Sequence, residues 1–177
     1  MSNVLIGIIG VILFIGLALA GALFLGPRFQ ESTNNSKASA AVQAVSQVSS
    51  AANMANVQNG TATQSGAADG LATAGFLKSV PSNPTTGGTA PVLVTTAGLA
   101  TGDANYAVMP LGTNAGAICA AIAKQSGMGA AFVTTSTAGV DTVVPVAAIP
   151  ANPSGCFTPT ANIGTVLKDS YYAFARI

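Results

Sequence analysis

The sequence contains no histidine and no tryptophan, and its charged residues are six Lys or Arg and five Asp or Glu in a chain of 177. Charged residues make up 6% of the chain, against about 25% in a typical soluble domain. A net charge of +1 argues against the clustered basic face with which a protein binds nucleic acid specifically. Because histidine is the commonest general base, its absence argues against an enzyme, and we expect no cofactor.

Metal sites are not indicated either. The four aspartates, Asp69, Asp103, Asp141 and Asp169, are dispersed and lack the spacing of a calcium-binding loop. The two cysteines, Cys119 and Cys156, are too few to bind zinc without histidine. They are either joined in a disulfide or two unlinked buried thiols. The apolar start of the chain favours export to an oxidising compartment, and therefore favours the disulfide.

The chain begins with a long apolar run. From Val4 to Gly26 there are 23 consecutive uncharged residues, and the run ends at Pro27-Arg28. At about 1.5 Å per residue such a helix crosses a hydrocarbon layer of about 30 Å. No Lys or Arg precedes the run, which distinguishes it from a typical secretory signal peptide. The run predicts either a single-span membrane anchor or a helix that leaves the membrane to pack against copies of itself.

Small residues favour the second possibility. Gly16 with Ala20, and Ala18 with Ala22, have the small-xxx-small spacing that lets helix backbones approach closely. Each glycine inside a helix costs up to about 1 kcal/mol, so a lipid-facing anchor gains nothing from them. We therefore predict a set of helix-packing positions: Gly7, Gly10, Gly16, Gly21, Gly26 and Pro27. Among these, Gly7, Gly10 and Pro27 are the predicted points of unwinding or bending.

A second helical pattern follows the polar residues after Pro27. Its apolar residues recur at spacings of three and four on one face: Ala38, Ala41, Val45, Val48, Ala52 and Ala55. Asn59-Gly60 is a predicted helix end, since both residues tolerate a left-handed conformation. The pattern predicts one long helix with an apolar half (1–27) and an amphipathic half (28–58), followed by a globular domain (59–177).

The globular domain shows alternating strand and helix signals. A short helix is predicted near Leu71–Phe76, and a second over Asn114–Ser126, which carries Cys119. The strand predictions are Pro91–Thr96, Tyr106–Pro110, Ala131–Thr135, Thr142–Val146, Thr165–Leu167 and Tyr171–Ile177. The residues from Pro150 to Cys156 are predicted to form a loop. Strands after a long helix indicate an α+β fold, with the helical spine packed on a largely antiparallel sheet.

Together these features resemble a type IV pilin, most closely the type IVb group. The segment NNSKASAAVQAVSQVSSAANMANV is similar to the polar, then Ala- and Val-rich, continuation of the pilin spine. AGAICAAIAKQSG resembles the short helix that bears the first cysteine of that group, and NPSGCFTPTANIGTVLKDSYYAFARI resembles its closing segment. The resemblance covers nearly the whole chain and implies a disulfide-closed C-terminal loop between Cys119 and Cys156.

The resemblance implies the major structural subunit of a pilus filament. The expected partners are identical subunits, the inner membrane before assembly and the pilus assembly machinery, and the expected final location is extracellular. The chain departs from typical prepilins in having no basic leader and no acidic residue before Glu31. Either Met1 is the mature start, or MSNVLIG is a short leader that is cut after Gly7. The alternatives are a membrane-anchored periplasmic or surface binding module, and a minor pilin or secretion pseudopilin.

Overall fold

The computed structural model describes residues 2–60, 66–95, 105–129, 132–135, 141–163 and 166–177. The chain divides into two compact units, Met1–Thr33 and Asn34–Ile177, and we call the second unit the head. The elements in chain order are α1 (Ser2–Asn59), β1 (Gly66–Ala67), α2 (Asp69–Thr73), β2 (Val92–Thr95), β3 (Asn105–Pro110), α3 (Ala115–Gln125), β4 (Val133–Thr135), β5 (Asp141–Val143), β6 (Ser154–Phe157) and β7 (Tyr172–Arg176).

Helix α1 confirms the predicted long N-terminal helix. Its range, Ser2–Asn59, includes Pro27 and the polar residues that separate the apolar half from the amphipathic half. The helix ends at the predicted place. Gly60 has a φ of 66° and donates its N–H to the carbonyl of Asn56 at 2.9 Å. Because glycine has no Cβ, it adopts this left-handed conformation without a clash and closes the last turn.

The predicted apolar stripe of α1 packs against the sheet and forms part of the core of the head. All six of its residues are buried: Ala38, Ala41, Val45, Val48, Ala52 and Ala55. They lie in the same apolar clusters as Ala107 and Ala173 of the sheet. Since both contacting surfaces are built largely from alanine, the helix and the sheet pack closely with little side-chain volume between them.

The main sheet of the head has five strands in the order β1-β2-β3-β7-β6, and every neighbouring pair is antiparallel. The predicted C-terminal strand is therefore an interior strand, since β7 lies between β3 and β6. Strands β4 and β5 form a separate antiparallel pair. The α+β class and the antiparallel sheet that the sequence predicts are both observed.

The side chains of β3 and β7 alternate between the two faces of the sheet, as the period of a strand requires. Ala107 and Ala173 lie on the face that α1 covers, which we call the helix face. Residues from alternate positions, with Phe157, form the opposite face, which we call the aromatic face: Tyr106, Val108, Tyr172 and Phe174. The ring of Phe157 lies 5.8 Å from that of Tyr172 and 5.6 Å from that of Phe174, distances typical of favourable aromatic pairs.

Asn83 anchors the long loop between α2 and β2. Its side-chain amide donates to the carbonyls of Thr89 and Pro110, both at 2.7 Å. Its side-chain oxygen accepts from the backbone N–H of Thr85 at 2.9 Å and from the Thr85 hydroxyl at 2.6 Å. The Thr85 hydroxyl in turn accepts from the N–H of Gly112. These hydrogen bonds hold the loop against the end of β3, and they satisfy the side chain of Thr85, which is buried.

Two strand predictions near the C-terminus are wrong in extent. The predicted strand Thr142–Val146 stops at Val143, and Val146 makes only an isolated bridge with Pro159. Pro145 has no N–H to donate to a ladder, which is consistent with the early end. The prediction for Thr165–Leu167 also fails. Thr165 lies outside the described residues, and Val166 makes a single bridge with Ile163.

Strand β6 corrects the loop prediction before Cys156. Ser154–Phe157 pairs with β7, with Cys156 opposite Ala173. Gly155 and Pro153 indicated a turn, but a glycine is needed at position 155 because the side chains of Met128 and Phe174 lie close to its backbone. A Cβ at this position would collide with the sulfur of Met128 and lie 3.1 Å from the ring of Phe174. A glycine in a strand often marks such an approach, and the sequence alone does not distinguish it from a turn.

Candidate assembly surface

The apolar part of α1 has no covering layer within the described chain. From Val4 to Ala22 the helix has a mean hydropathy of 2.8 over 19 residues, and none of this segment is buried. The large side chains are exposed around the whole helix, up to 73% at Phe14 and Leu17. A membrane anchor, a signal sequence and a helix that packs against other copies all share these properties. We call Val4–Ala22 the apolar segment.

Four of the predicted helix-packing positions lie in the apolar segment. A Cβ built at Gly7, Gly10, Gly16 or Gly21 meets no atom within 4 Å. These glycines are therefore not required by packing within the chain, although each costs up to about 1 kcal/mol of helix stability. Gly7 and Gly21 each lie seven positions from Phe14, so the three residues share one face of the helix. That face combines one large aromatic side chain with gaps on both sides.

The remaining predicted positions at this end of the chain are described only in part. Gly26 and Pro27 belong to α1, and only their helical backbone is described. Met1, the predicted mature start, also lies outside them. The first charges after the apolar segment, Arg28 and Glu31, form an exposed ion pair at 3.9 Å. Exposed pairs of this kind contribute about 0–1 kcal/mol to stability. Any strong interaction of this unit with a partner therefore comes from burial of its apolar surface.

The two cysteines form the disulfide that the sequence favours. Cys119 of α3 and Cys156 of β6 are bonded, with their Cα atoms 5.3 Å apart, and both are fully buried. The bond ties α3 to the edge of the sheet that β6 forms. Both cysteines are thus oxidised and inaccessible, so neither is available as a thiolate nucleophile or a metal ligand.

The described part of the chain contains no group of three or more His, Cys, Asp or Glu side chains that could hold a metal ion. Of the four aspartates, Asp69 lies in α2 and Asp169 lies near the start of β7. Asp103 and the side chain of Asp141 lie outside the described residues.

An apolar groove runs along the exposed side of α1 in the head. Its volume is about 580 Å³, and its lining residues are Asn53, Met54, Val57, Gln58 and Phe76. We call it the groove. It continues into a second depression of about 660 Å³. Met54 and Phe76 line both, and Lys78 lines only the second. Val57 is 86% exposed and Met54 is 61% exposed, and the other exposed residues on this part of the helix are Ser, Gln and Asn.

A second exposed apolar side chain of the head lies on the loop before β7. Leu167 is 58% exposed, and its N–H donates to the hydroxyl of Tyr172 at 2.9 Å. Lys168 and Asp169 follow and form an exposed ion pair at 3.6 Å. We call residues 166–169 the Leu167 loop. Because Tyr172 and Val166 belong to the cluster of the aromatic face, the loop lies on that side of the sheet.

Sequence reasoning did not single out the groove or the Leu167 loop. Met54 and Val57 lie off the apolar stripe at a spacing of three, on a face otherwise made of Ser, Gln and Asn. Two apolar residues at that spacing on a polar face are a usable signal for a small exposed patch. Leu167 lay within a predicted strand, which hid its exposure. No family model, curated protein or solved structure matches the chain.

Proposed function

We propose that this protein is the repeating subunit of a filament, a major pilin most like the type IVb group. The observation that carries the proposal is the apolar segment, which is exposed on all sides and contains four glycines with open space around them. Lipid covers such a segment before assembly. Once it leaves the membrane, only the same segment of other copies offers an equally apolar cover.

The expected free energy supports assembly by this route. At about 25 cal/mol per Å², burying roughly 1,000 Å² of apolar helix surface stabilises the assembly by about 25 kcal/mol before the costs of association. The glycines let neighbouring helices approach closely, as small residues do in membrane helix pairs. The proposed contact joins different surfaces of each copy, because a repeated contact of that kind grows into an open filament.

The head supports a structural role. Its described surface carries few charges, and its cysteines are locked in a buried disulfide, a bond that persists in oxidising extracellular conditions. The proposal includes the inner membrane and the pilus assembly machinery as earlier partners, and the cell exterior as the final location. It assigns no catalytic activity and no cofactor.

The test is assembly of the full-length protein. The protein is purified in detergent, and the detergent is removed either without lipid or in the presence of phospholipid vesicles. Electron microscopy of the lipid-free sample is expected to show filaments, and sheared surface material of the host cell is expected to contain the same threads. Mass spectrometry of the subunit from those threads identifies its first residue, Met1 or Ile8.

Other outcomes identify the alternatives. Dispersed molecules in every lipid-free condition, together with stable insertion into vesicles, would indicate a membrane-anchored binding module. Threads that contain only traces of this chain among copies of another subunit would indicate a minor pilin. Short assemblies that never leave the cell envelope would indicate a secretion pseudopilin.

A further inference from the structure

The last turn of α1 carries a residue pair with a chemistry of its own. Among the asparagines of the chain, only Asn59 is followed by glycine. The side-chain amide of an asparagine reacts with the backbone nitrogen of the next residue, and the reaction is fastest before glycine, because no side chain crowds that nitrogen. Asn83 and Asn152 precede proline, whose nitrogen carries no hydrogen to lose. Asn59-Gly60 is therefore the most reactive pair of this kind in the sequence.

The pair is accessible in the folded head. Asn59 is the last residue of α1, and both Asn59 and Gly60 are exposed. A Cβ built on Gly60 would meet no described atom within 4 Å. Water and hydroxide, the two reagents that the reaction needs, therefore reach the pair without any opening of the core.

One turn of helix holds the pair in an unreactive geometry. The N–H of Gly60 donates to the carbonyl of Asn56 at 2.9 Å, so the attacking nitrogen is engaged. The helical ψ of Asn59 also keeps this nitrogen out of line with the side-chain carbon. The end of a helix opens more easily than its middle, because few hydrogen bonds break. Fraying of the last turn is therefore enough to reach the reactive geometry.

We propose that Asn59 is a site of spontaneous deamidation in the folded protein, reached by fraying of the last turn of α1. The nitrogen of Gly60 forms a bond to Cγ of Asn59, and the bond between Cγ and Nδ2 breaks. Nδ2 leaves as ammonia, taking up from solvent a proton that replaces the one lost by the Gly60 nitrogen. Water then adds to either carbonyl of the cyclic imide and opens it, which leaves aspartate or isoaspartate at position 59.

The products weaken this end of the helix. A carboxylate at position 59 lies at the C-terminus of α1, where the helix dipole places partial negative charge. Isoaspartate also adds a methylene group to the backbone, which displaces the N–H of Gly60 from the carbonyl of Asn56. One added carboxylate lowers the net charge from +1 to 0. The reaction requires only the head, so it proceeds whether or not the chain forms filaments.

Mass spectrometry of the full-length protein measures the reaction. Folded protein and protein unfolded in guanidinium chloride are incubated side by side at mildly alkaline pH and then digested briefly with trypsin. Cleavage after Lys37 and Lys78 releases residues 38–78 as one peptide, in which fragmentation locates the reacted asparagine. Asn59 is expected to react about fivefold more slowly in the folded protein than in the unfolded chain, the effect of opening one turn.

A relocated pair is the matched control. Met54→Gly combined with Asn59→Gln moves the Asn-Gly pair to position 53, more than one turn inside α1, and the longer side chain of glutamine closes a ring far more slowly. In guanidinium chloride the relocated pair is expected to react as fast as Asn59 does. In the folded protein it is expected to react about tenfold more slowly than Asn59, because more hydrogen bonds must open.

Both aspartate and isoaspartate are expected at position 59, because the imide opens on either side. Aspartate alone would indicate direct hydrolysis of the side chain and would overturn the inference. An Asn59 that stays intact in the folded protein, or that reacts there as fast as in the unfolded chain, would also overturn it. So would a relocated pair that matches Asn59 in the folded protein.

Hydrogen exchange measures the weakening of the helix end. Asn59→Asp reproduces the charge of one product, and Asn59→Gln keeps a neutral amide. Amides in the last turn of α1 are expected to exchange about threefold faster in Asn59→Asp, the effect of one unfavourable charge at a helix end. Equal exchange in the two variants would overturn the proposed weakening.

Discussion

The hydroxyl of Ser49, near the middle of the amphipathic part of α1, donates a hydrogen bond to the backbone carbonyl of Arg176 at 2.6 Å. The two residues are 127 positions apart. Arg176 is the last residue of β7, which is an interior strand of the main sheet. This bond joins the first element of the head to its last. It also explains a serine among the buried positions of α1, since Ser49 is only 6% exposed.

Replacing Ser49 by alanine is expected to lower the free energy of unfolding by about 1–2 kcal/mol, because the carbonyl of Arg176 loses its buried donor. Ser50→Ala is the matched control, since the neighbouring side chain is exposed and the change in helix propensity is the same. Urea unfolding followed by tyrosine fluorescence measures both variants, because Tyr106, Tyr171 and Tyr172 all lie in the head. Equal stability of the two variants would contradict the role of the bond.

Gly112 is expected to tolerate no side chain, because backbone atoms surround it. A Cβ there would collide with the carbonyl of Thr86 and lie 2.6 Å from the nitrogen of Gly88. Backbone atoms move only together with the loop that Asn83 holds, so we expect Gly112→Ala to cost about 2 kcal/mol or more. It should also disturb the bond from the N–H of Gly112 to Thr85.

The control for Gly112→Ala is Gly129→Ala. A Cβ at Gly129 meets no atom within 4 Å, so this substitution is expected to be neutral or to stabilise by up to about 1 kcal/mol through the unfolded state. Urea unfolding of both variants separates steric conflict from the general effect of losing a glycine. A Gly112→Ala variant as stable as Gly129→Ala would show that the loop yields easily.

Removing the disulfide is expected to destabilise the head by about 3–4 kcal/mol, the effect predicted for a closed loop of this length. The change is Cys119→Ala together with Cys156→Ala, which leaves no polar group in the buried site. Thermal unfolding without reductant compares this variant with wild type. Because both cysteines are fully buried, a reductant is expected to release thiols from the wild-type protein only after urea is added. Rapid thiol labelling of the folded protein would contradict this.

Gly16→Leu and Gly21→Leu are expected to weaken assembly strongly while the head remains folded. Each adds a bulky side chain where close helix contact is proposed, and each also improves helix propensity by nearly 1 kcal/mol. A loss of assembly therefore cannot be attributed to a weaker helix. Ile12→Leu is the control, since it conserves volume in the same segment. Normal filaments from both glycine variants would argue against tight packing through these positions.

Periodic patterns made several parts of this fold predictable. The stripe from Ala38 to Ala55 repeats every three to four residues, and all six of its residues are buried. The Asn59-Gly60 pair marked the helix end because few other residues accept the left-handed conformation. The helix carrying Cys119 and the terminal strand before Ile177 were predicted for the same reason: each follows the period of a single element. The apolar segment was predictable too, since a long run of uncharged residues can be read directly from the sequence.

Other features depend on contacts between segments that are distant in the chain. Strand β6 is short, contains Gly155, and becomes a strand only because β7 pairs with it. The position of β7 inside the sheet, the bond between Ser49 and Arg176, and the joining of Asn83 to Pro110 are likewise long-range. Exposure of Val57 and Leu167 also depends on which neighbours the fold brings near them.

The sequence by itself therefore determined the long helix, its two kinds of surface and the α+β class. Hydrophobic periodicity and the residues that end a helix both act over a few neighbouring positions. Only the tertiary structure decided the strand order, the short strand that holds Cys156, and the placement of the groove and the Leu167 loop on opposite sides of the head. These features depend on which distant segments compete for the same buried surface, and that competition is resolved by packing of the whole chain.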